Sequence, residues 1–159
     1  MAAIEQSIVV NVPVQMAYNQ WTQFEDFPRF MDGVASVRQL DDKRLHWRVN
    51  IGGKVKEWDA EITEQHPDER IAWTTRSGAR NAGLVTFHRL DENRTKIMLQ
   101  LEYEPEGAVE NVGDAVGIVS GRIKGDLERF KEFIESRHRE TGAWRGEIQP
   151  GQAKERRSA

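Results

Sequence analysis

The sequence predicts an α+β fold: a seven-stranded antiparallel curved sheet, two short helices near the N-terminus and a long C-terminal helix. Three observations carry this. Apolar and polar residues alternate from Ala3 to Val12, and again in six segments between residues 34 and 103. The connections between those segments are too short to join anything but antiparallel neighbours. From residue 109 onward the apolar period changes from that of a strand to that of a helix.

In order, Ile4, Ile8, Val10 and Val12 mark the first strand. Pro13 then opens a helix over residues 13–23, where a missing N–H costs nothing, with Val14, Ala17, Tyr18 and Trp21 on its apolar side. Phe24, Phe27, Phe30 and Met31 continue into a second short helix, with a break expected at Asp26-Phe27-Pro28. Ala35-Val37 leads to the turn Asp41-Asp42-Lys43. Leu45, Trp47, Val49 and Ile51 alternate up to Gly52-Gly53, a hairpin signal. Trp58, Ala60 and Ile62 run to Pro67-Asp68; Ile71, Trp73 and Thr75 run to Gly78-Ala79. Gly83, Val85 and Phe87 precede Asp91-Glu92-Asn93, and Ile97, Leu99, Leu101 and Tyr103 end at Pro105 and Gly107. Over residues 109–141, Val112, Val116, Val119, Ile123, Leu127, Phe130 and Ile134 fall within about 80° of arc, a single apolar stripe. Gly142 stands where a helix-ending glycine is expected. The sequence divides into one domain, residues 1–142, and a polar tail, residues 143–159, expected to be mobile.

This order implies a cavity. Seven strands at about 4.8 Å each span more than 30 Å, whereas a helix is about 10–12 Å across. One helix covers that face only if the sheet bends around it. Strand parity turns Trp47, Trp58, Trp73, Phe87 and Tyr103 toward the apolar side, with Phe27, Phe30 and Met31 expected near the mouth and Val119 and Ile123 on the facing helix. A solid core and a lined pocket both satisfy that pattern. Gly113, Gly117, Gly121 and Gly125 recur every four residues in the long helix and lower its propensity. A loosely held, pocket-gating first half and close packing on a neighbour both account for them.

Composition narrows the chemistry. With no cysteine, disulfides, thiolate catalysis and Cys-based metal sites are excluded. That absence and the lack of an N-terminal apolar leader point to a cytoplasmic protein. A net charge of −3, without a basic block, makes nucleic acid a poor partner, and no apolar run is long enough for a membrane span. His46, His66, His88 and His138 have no metal-ligand spacing, and Gly117-Ile-Val-Ser120-Gly121 misses the nucleophile-elbow pattern by one residue. No metal and no cofactor are expected. Glu57, Arg76 and Asp126 remain as candidate polar groups of the pocket, each with an ordinary surface or ion-pair role as its alternative.

The segments Phe27-Pro28-Arg29-Phe30-Met31, Trp47, Glu57-Trp58, Ile71-Ala72-Trp73, Gly83-Leu84-Val85-Thr86-Phe87, Leu101-Glu102-Tyr103-Glu104-Pro105-Glu106-Gly107 and Asp126-Leu127-Glu128-Arg129-Phe130-Lys131 resemble the START-like helix-grip (SRPBCC) superfamily. The likeness is to its polyketide cyclase/dehydrase and coenzyme Q-binding branch, over about residues 2–140. The resemblance implies a cavity between sheet and C-terminal helix that binds or transports a hydrophobic small molecule such as a lipid, quinone or polyketide. It equally admits a polyketide cyclase/dehydrase-type enzyme working by acid–base residues in that cavity. It does not single out a ligand or an oligomeric state.

Overall fold

In a computed structural model, residues 2–51, 53–104 and 112–149 are described, the first five of the last segment as backbone only. Strands β1 (Ala2–Val10), β2 (Val34–Gln39), β3 (Arg44–Ile51), β4 (Lys54–His66), β5 (Arg70–Gly78), β6 (Asn81–Asp91) and β7 (Arg94–Tyr103) form one sheet. Its order is β1-β7-β6-β5-β4-β3-β2, antiparallel throughout. The meander from β2 to β7 follows from the short turns, and β1 closes against β7 because it alone arrives from outside that run. Helix α1 (Val14–Trp21) and a 3₁₀ turn (Phe24–Arg29) follow β1; the long helix α2 (Val112–Arg137) packs along β1. This is the helix-grip α+β arrangement.

The register fixes the inner face. Trp47 lies opposite Trp58, Ile62 opposite Trp73, Trp73 opposite Gly83, Val85 opposite Leu99 and Phe87 opposite Ile97. At one end this face is sealed. Tyr18, Trp21, Phe27, Phe30, Phe87 and Phe130 are all buried there. Their rings meet edge-on or tilted, Trp21 to Phe130 at 5.1 Å, Phe30 to Phe130 at 5.2 Å and Tyr18 to Phe87 at 5.3 Å. Such contacts add about 1 kcal/mol each beyond the area they bury. The two short elements therefore plug half of the grip, and the C-terminal half of α2, through Leu127, Phe130 and Ile134, completes that plug.

Three boundaries differ from the sequence expectation. The break between the short helices falls at Thr22 and Gln23, and Pro28 lies inside the second. Its missing N–H does no harm, because the tighter turn is held by Asp26 N–H on Gln23 O and Phe30 N–H on Phe27 O. Helix α2 ends at Arg137, where His138 takes a left-handed φ of 49°, so Gly142 is not the terminator. Residues 143–149 pack onto the domain, whereas a mobile tail was expected from 143. Ile148 is buried and exchanges both backbone hydrogen bonds with Gln65, at 2.7 and 2.9 Å. Trp144 N–H reaches Thr22 Oγ1 at 3.0 Å, and Thr141 trades two bonds with the buried Gln20 amide. Arg145 joins Asn19 at 2.6 Å to Asp68 at 2.7 Å and lies 5.5 Å from the Tyr18 ring centre. Residues 138–149 thus form a strap over the sealed end. Residues 105–111, 150–159 and Gly52, with the expectations that fall on them, lie outside the described residues.

The strap carries a titratable clasp. His66 Nδ1 lies 3.1 Å from Glu147 on the strap and Nε2 lies 3.2 Å from Glu64, which also accepts from Arg70. The Glu147 carboxylate raises the imidazole pKa above its ordinary value; burial opposes this and Glu64 reinforces it. The folded value being the higher one, this stabilisation is complete below the ordinary histidine range and is lost as pH rises through the raised value. We therefore expect the urea midpoint to fall between about pH 6 and about pH 8.5, and His66→Gln to remove part of that slope. A slope left intact by the substitution shows that Glu147 is not held through His66.

Candidate ligand-binding face

The other half of the inner face is open. Trp58, Trp73 and Tyr103 are half-buried, and Trp47 and Met31 pack against the core while keeping part of their surface in solvent. Trp47 joins the two halves: its ring sits 5.6 Å from Phe27 and stacks on Trp58 at 5.9 Å with a 16° tilt. From α2, Val119 and Ile123 are likewise half-buried, and Ile123 packs onto the core. Phe87, expected on the inner face, is buried there in the aromatic plug; Phe27 and Phe30 do not stand at the mouth, where the sequence places them. They belong to the sealed end, because the 3₁₀ turn folds inward beneath β2 rather than lying over the opening.

Gly83 is what lets Trp73 lie flat. A Cβ at that position would sit 2.2 Å from the indole, so the ring occupies the space a side chain would need. The indole N–H then reaches Asn81 Oδ1 at 3.3 Å. Asn81 is the register partner of Tyr103, whose hydroxyl oxygen is covered from water and has no hydrogen-bond partner among the described residues. Burial raises the phenol's pKa, so it stays protonated. Nearer the middle of the face, Gln6 on β1 donates to Ser120 Oγ of α2 at 2.8 Å, a polar contact across the grip. Asn81, Gln6 and Ser120 were not singled out by sequence reasoning. Gly83 was the available signal, since a glycine inside an alternating strand marks a close approach.

The three polar candidates part company. Glu57 is exposed on the convex face, where its carboxylate meets His46 Nε2 at 2.9 Å; Asp59 holds Nδ1 at 2.6 Å and accepts from Ser77. Arg76 is also exposed, paired with Glu61 at 2.6 Å. Neither lines the cavity. Glu57 alternates with the inward Trp58, and Arg76 alternates with Thr75, which lies opposite the buried Ala60, so both point outward. Asp126 is buried, and it is a latch. Its Oδ1 accepts from Asp32 N–H at 2.9 Å and from Arg129 at 2.5 Å, while Arg129 also donates to Phe30 O at 2.9 Å. One turn earlier, Arg122 donates to Asn50 O at 3.1 Å. That approach requires Gly33, which has φ +87° and no room for a Cβ beside Arg122. Burial raises the Asp126 pKa, and Arg129 with the Asp32 amide pulls it back.

Gly117 and Gly121 face open space on α2, and Gly125 faces the Arg129 guanidinium. Among the described residues no three His, Asp or Glu are placed to hold a metal ion, and no helix is long and apolar enough to cross a membrane. Two open polar clefts lie away from the concave face, one at Asn11 and Asp91, the other between Glu25, Asp42 and Trp144.

Two substitutions test this geometry. Gly83→Ala should displace the Trp73 indole, shift tryptophan emission to the red and cost about 2 kcal/mol. An unchanged spectrum would mean the ring does not lie on Gly83. Asp126→Ala should lower stability to urea by about 2 kcal/mol, and Asp126→Asn by less, since the amide oxygen still accepts from Asp32. Equal losses would show that only the charge matters.

Comparison with known proteins identifies the scaffold. Residues 10–132 match the model of a family described as polyketide cyclase/dehydrase and lipid transport. An uncharacterized 17.2 kDa protein of Streptomyces lincolnensis, from the melC2-rnhH intergenic region, is 58% identical over 149 residues, 93% of this chain and 99% of that one. Among solved structures, the Zhui aromatase/cyclase from Streptomyces sp. R1128 superposes with a TM-score of 0.72 at 16% identity, covering 90% of this chain and 99% of that one. A START superfamily protein from Mycobacterium smegmatis gives 0.69 at 15% identity, covering 83% and 98%. With the matched region running from the end of β1 into the last turns of α2, this chain belongs to the polyketide cyclase/dehydrase and lipid transport family.

Proposed function

We propose that the chain binds and carries a hydrophobic, ring-containing small molecule on the open half of its concave face. One observation carries this reading. Trp58, Trp73 and Tyr103 share the inner face with a fully buried aromatic core, yet remain half-exposed. Covering about 300 Å² of apolar ligand surface there contributes roughly 7 kcal/mol before association costs.

An acid–base enzyme on the same scaffold, as the likeness to an aromatase/cyclase suggests, needs a titratable group facing the ligand. Glu57 and Arg76 are turned away and Asp126 is engaged by two donors, which favours binding over turnover. Lys56 and Tyr103 hold inner register positions and are the groups an enzymatic reading would have to use.

The test is a titration of the full chain with pyrene, followed by quenching of tryptophan emission. Native mass spectrometry of gently purified protein would look for a retained small molecule. Binding weakened about tenfold by Trp58→Ala or Trp73→Ala is expected. No binding, or binding indifferent to both substitutions, removes the concave face as the site.

A further inference from the structure

The Tyr103 hydroxyl is the one buried polar atom on the open half of the inner face that no neighbour satisfies among the described residues. The other two such atoms, Gln65 Oε1 and Asp68 Oδ1, belong to residues that the strap contacts at the sealed end, through Ile148 and Arg145. Buried hydroxyls in folded proteins are almost always paired, so one left unpaired beside half-exposed rings calls for a partner from outside the chain. Its cross-strand neighbour Asn81 does not supply one. Asn81 Oδ1 already accepts from the Trp73 indole and its amide nitrogen turns back to Ala79 O at 3.4 Å. Tyr103, the last residue of β7, lies opposite Asn81, whose Oδ1 the Trp73 indole N–H meets, so a planar guest lying on that indole extends toward the Tyr103 side of the face.

We propose that Tyr103 is the specificity determinant of this face, donating a hydrogen bond to an oxygen on the guest. The face would thus select oxygen-bearing ring compounds over hydrocarbons of the same shape. The inference rests on the concave face being the binding site. Because burial keeps the phenol protonated, it is a donor throughout the neutral range, and a guest hydroxyl or carbonyl oxygen is its complement. A site whose buried polar group would be left unpaired rejects the analogue that lacks the matching atom.

The experiment uses a matched pair, pyrene and 1-hydroxypyrene, titrated into the full chain and into Tyr103→Phe. The wild-type chain should prefer 1-hydroxypyrene by about tenfold, and Tyr103→Phe should abolish that preference while leaving pyrene affinity unchanged. Without ligand, Tyr103→Phe should melt at the same temperature as the wild type or higher, because an unpaired hydroxyl is removed and nothing else is lost. Equal wild-type affinities, a preference that survives the substitution, or a lower melting temperature for Tyr103→Phe would each overturn the assignment. If pyrene binds without preference, the concave face stands and only the role of Tyr103 fails. If neither compound binds a folded chain, both fail together.

Discussion

A single rod cannot cover a seven-stranded ribbon, and the rest of this molecule is an answer to that mismatch. The sheet bends, and the short elements between β1 and β2 fill one end of the hollow with aromatic rings. Phe130 meets both Trp21 and Phe30 at van der Waals distance, so the C-terminal half of α2 is anchored to that plug rather than to the sheet alone. Among the described residues, the N-terminal half of α2 meets no comparable plug. Its described contact with β1 is the polar Gln6–Ser120 bond, and beside it stands Ile118, 63% exposed. One end is therefore packed as a core, and the other presents unfinished aromatic surface.

What keeps the two halves in register is a set of charged side chains reaching for backbone. Arg122, Asp126 and Arg129 lie at successive turns of α2 and grasp Asn50, Asp32 and Phe30 in order. A charged group on a backbone partner is a stronger tie than an exposed ion pair, and it fixes position as well as energy. The strap does the same work at the sealed end with Gln20, Gln65 and Asn19. Gln20 and Asn19 are buried there because their amides bond to strap residues distant in the chain.

This division explains what could be read from the sequence. Strand parity is local, so the inward rows ending in Trp47, Trp58, Trp73 and Tyr103 were legible from alternation alone, and the seven-stranded order followed from the turn lengths. Parity also holds the answer for Glu57, which points away from the face that Trp58 occupies. The same alternation places Arg76 outward, since it follows Thr75, which lies opposite the buried Ala60. Long-range polar pairing was not legible at all. Nothing near Asp126 in sequence says that its acceptor serves Asp32, and nothing in residues 143–149 except Trp144 and Ile148 hints that this polar stretch folds back. Those two apolar residues, set among charges, were the signal.

The convex face bears on the choice between carrier and enzyme. His46 has a carboxylate on each ring nitrogen, and Asp59 takes a further bond from Ser77, a grouping that in a cleft would suggest proton transfer. Here the order is wrong for a nucleophile, since the serine bonds to the aspartate and not to the imidazole. The group also lies on the solvent side of the sheet, where charges are screened and no substrate surface is enclosed. Asp59 first, and Glu57 after it, raise the His46 pKa above its ordinary value, and through these two carboxylates the ring ties β3 to β4. This ionisable cluster thus serves the strand pairing, while the inner face carries rings, an amide, Lys56 and the unpaired phenol. Such a lining suits the carrier proposed above, which would select its guest by shape and by one hydrogen bond.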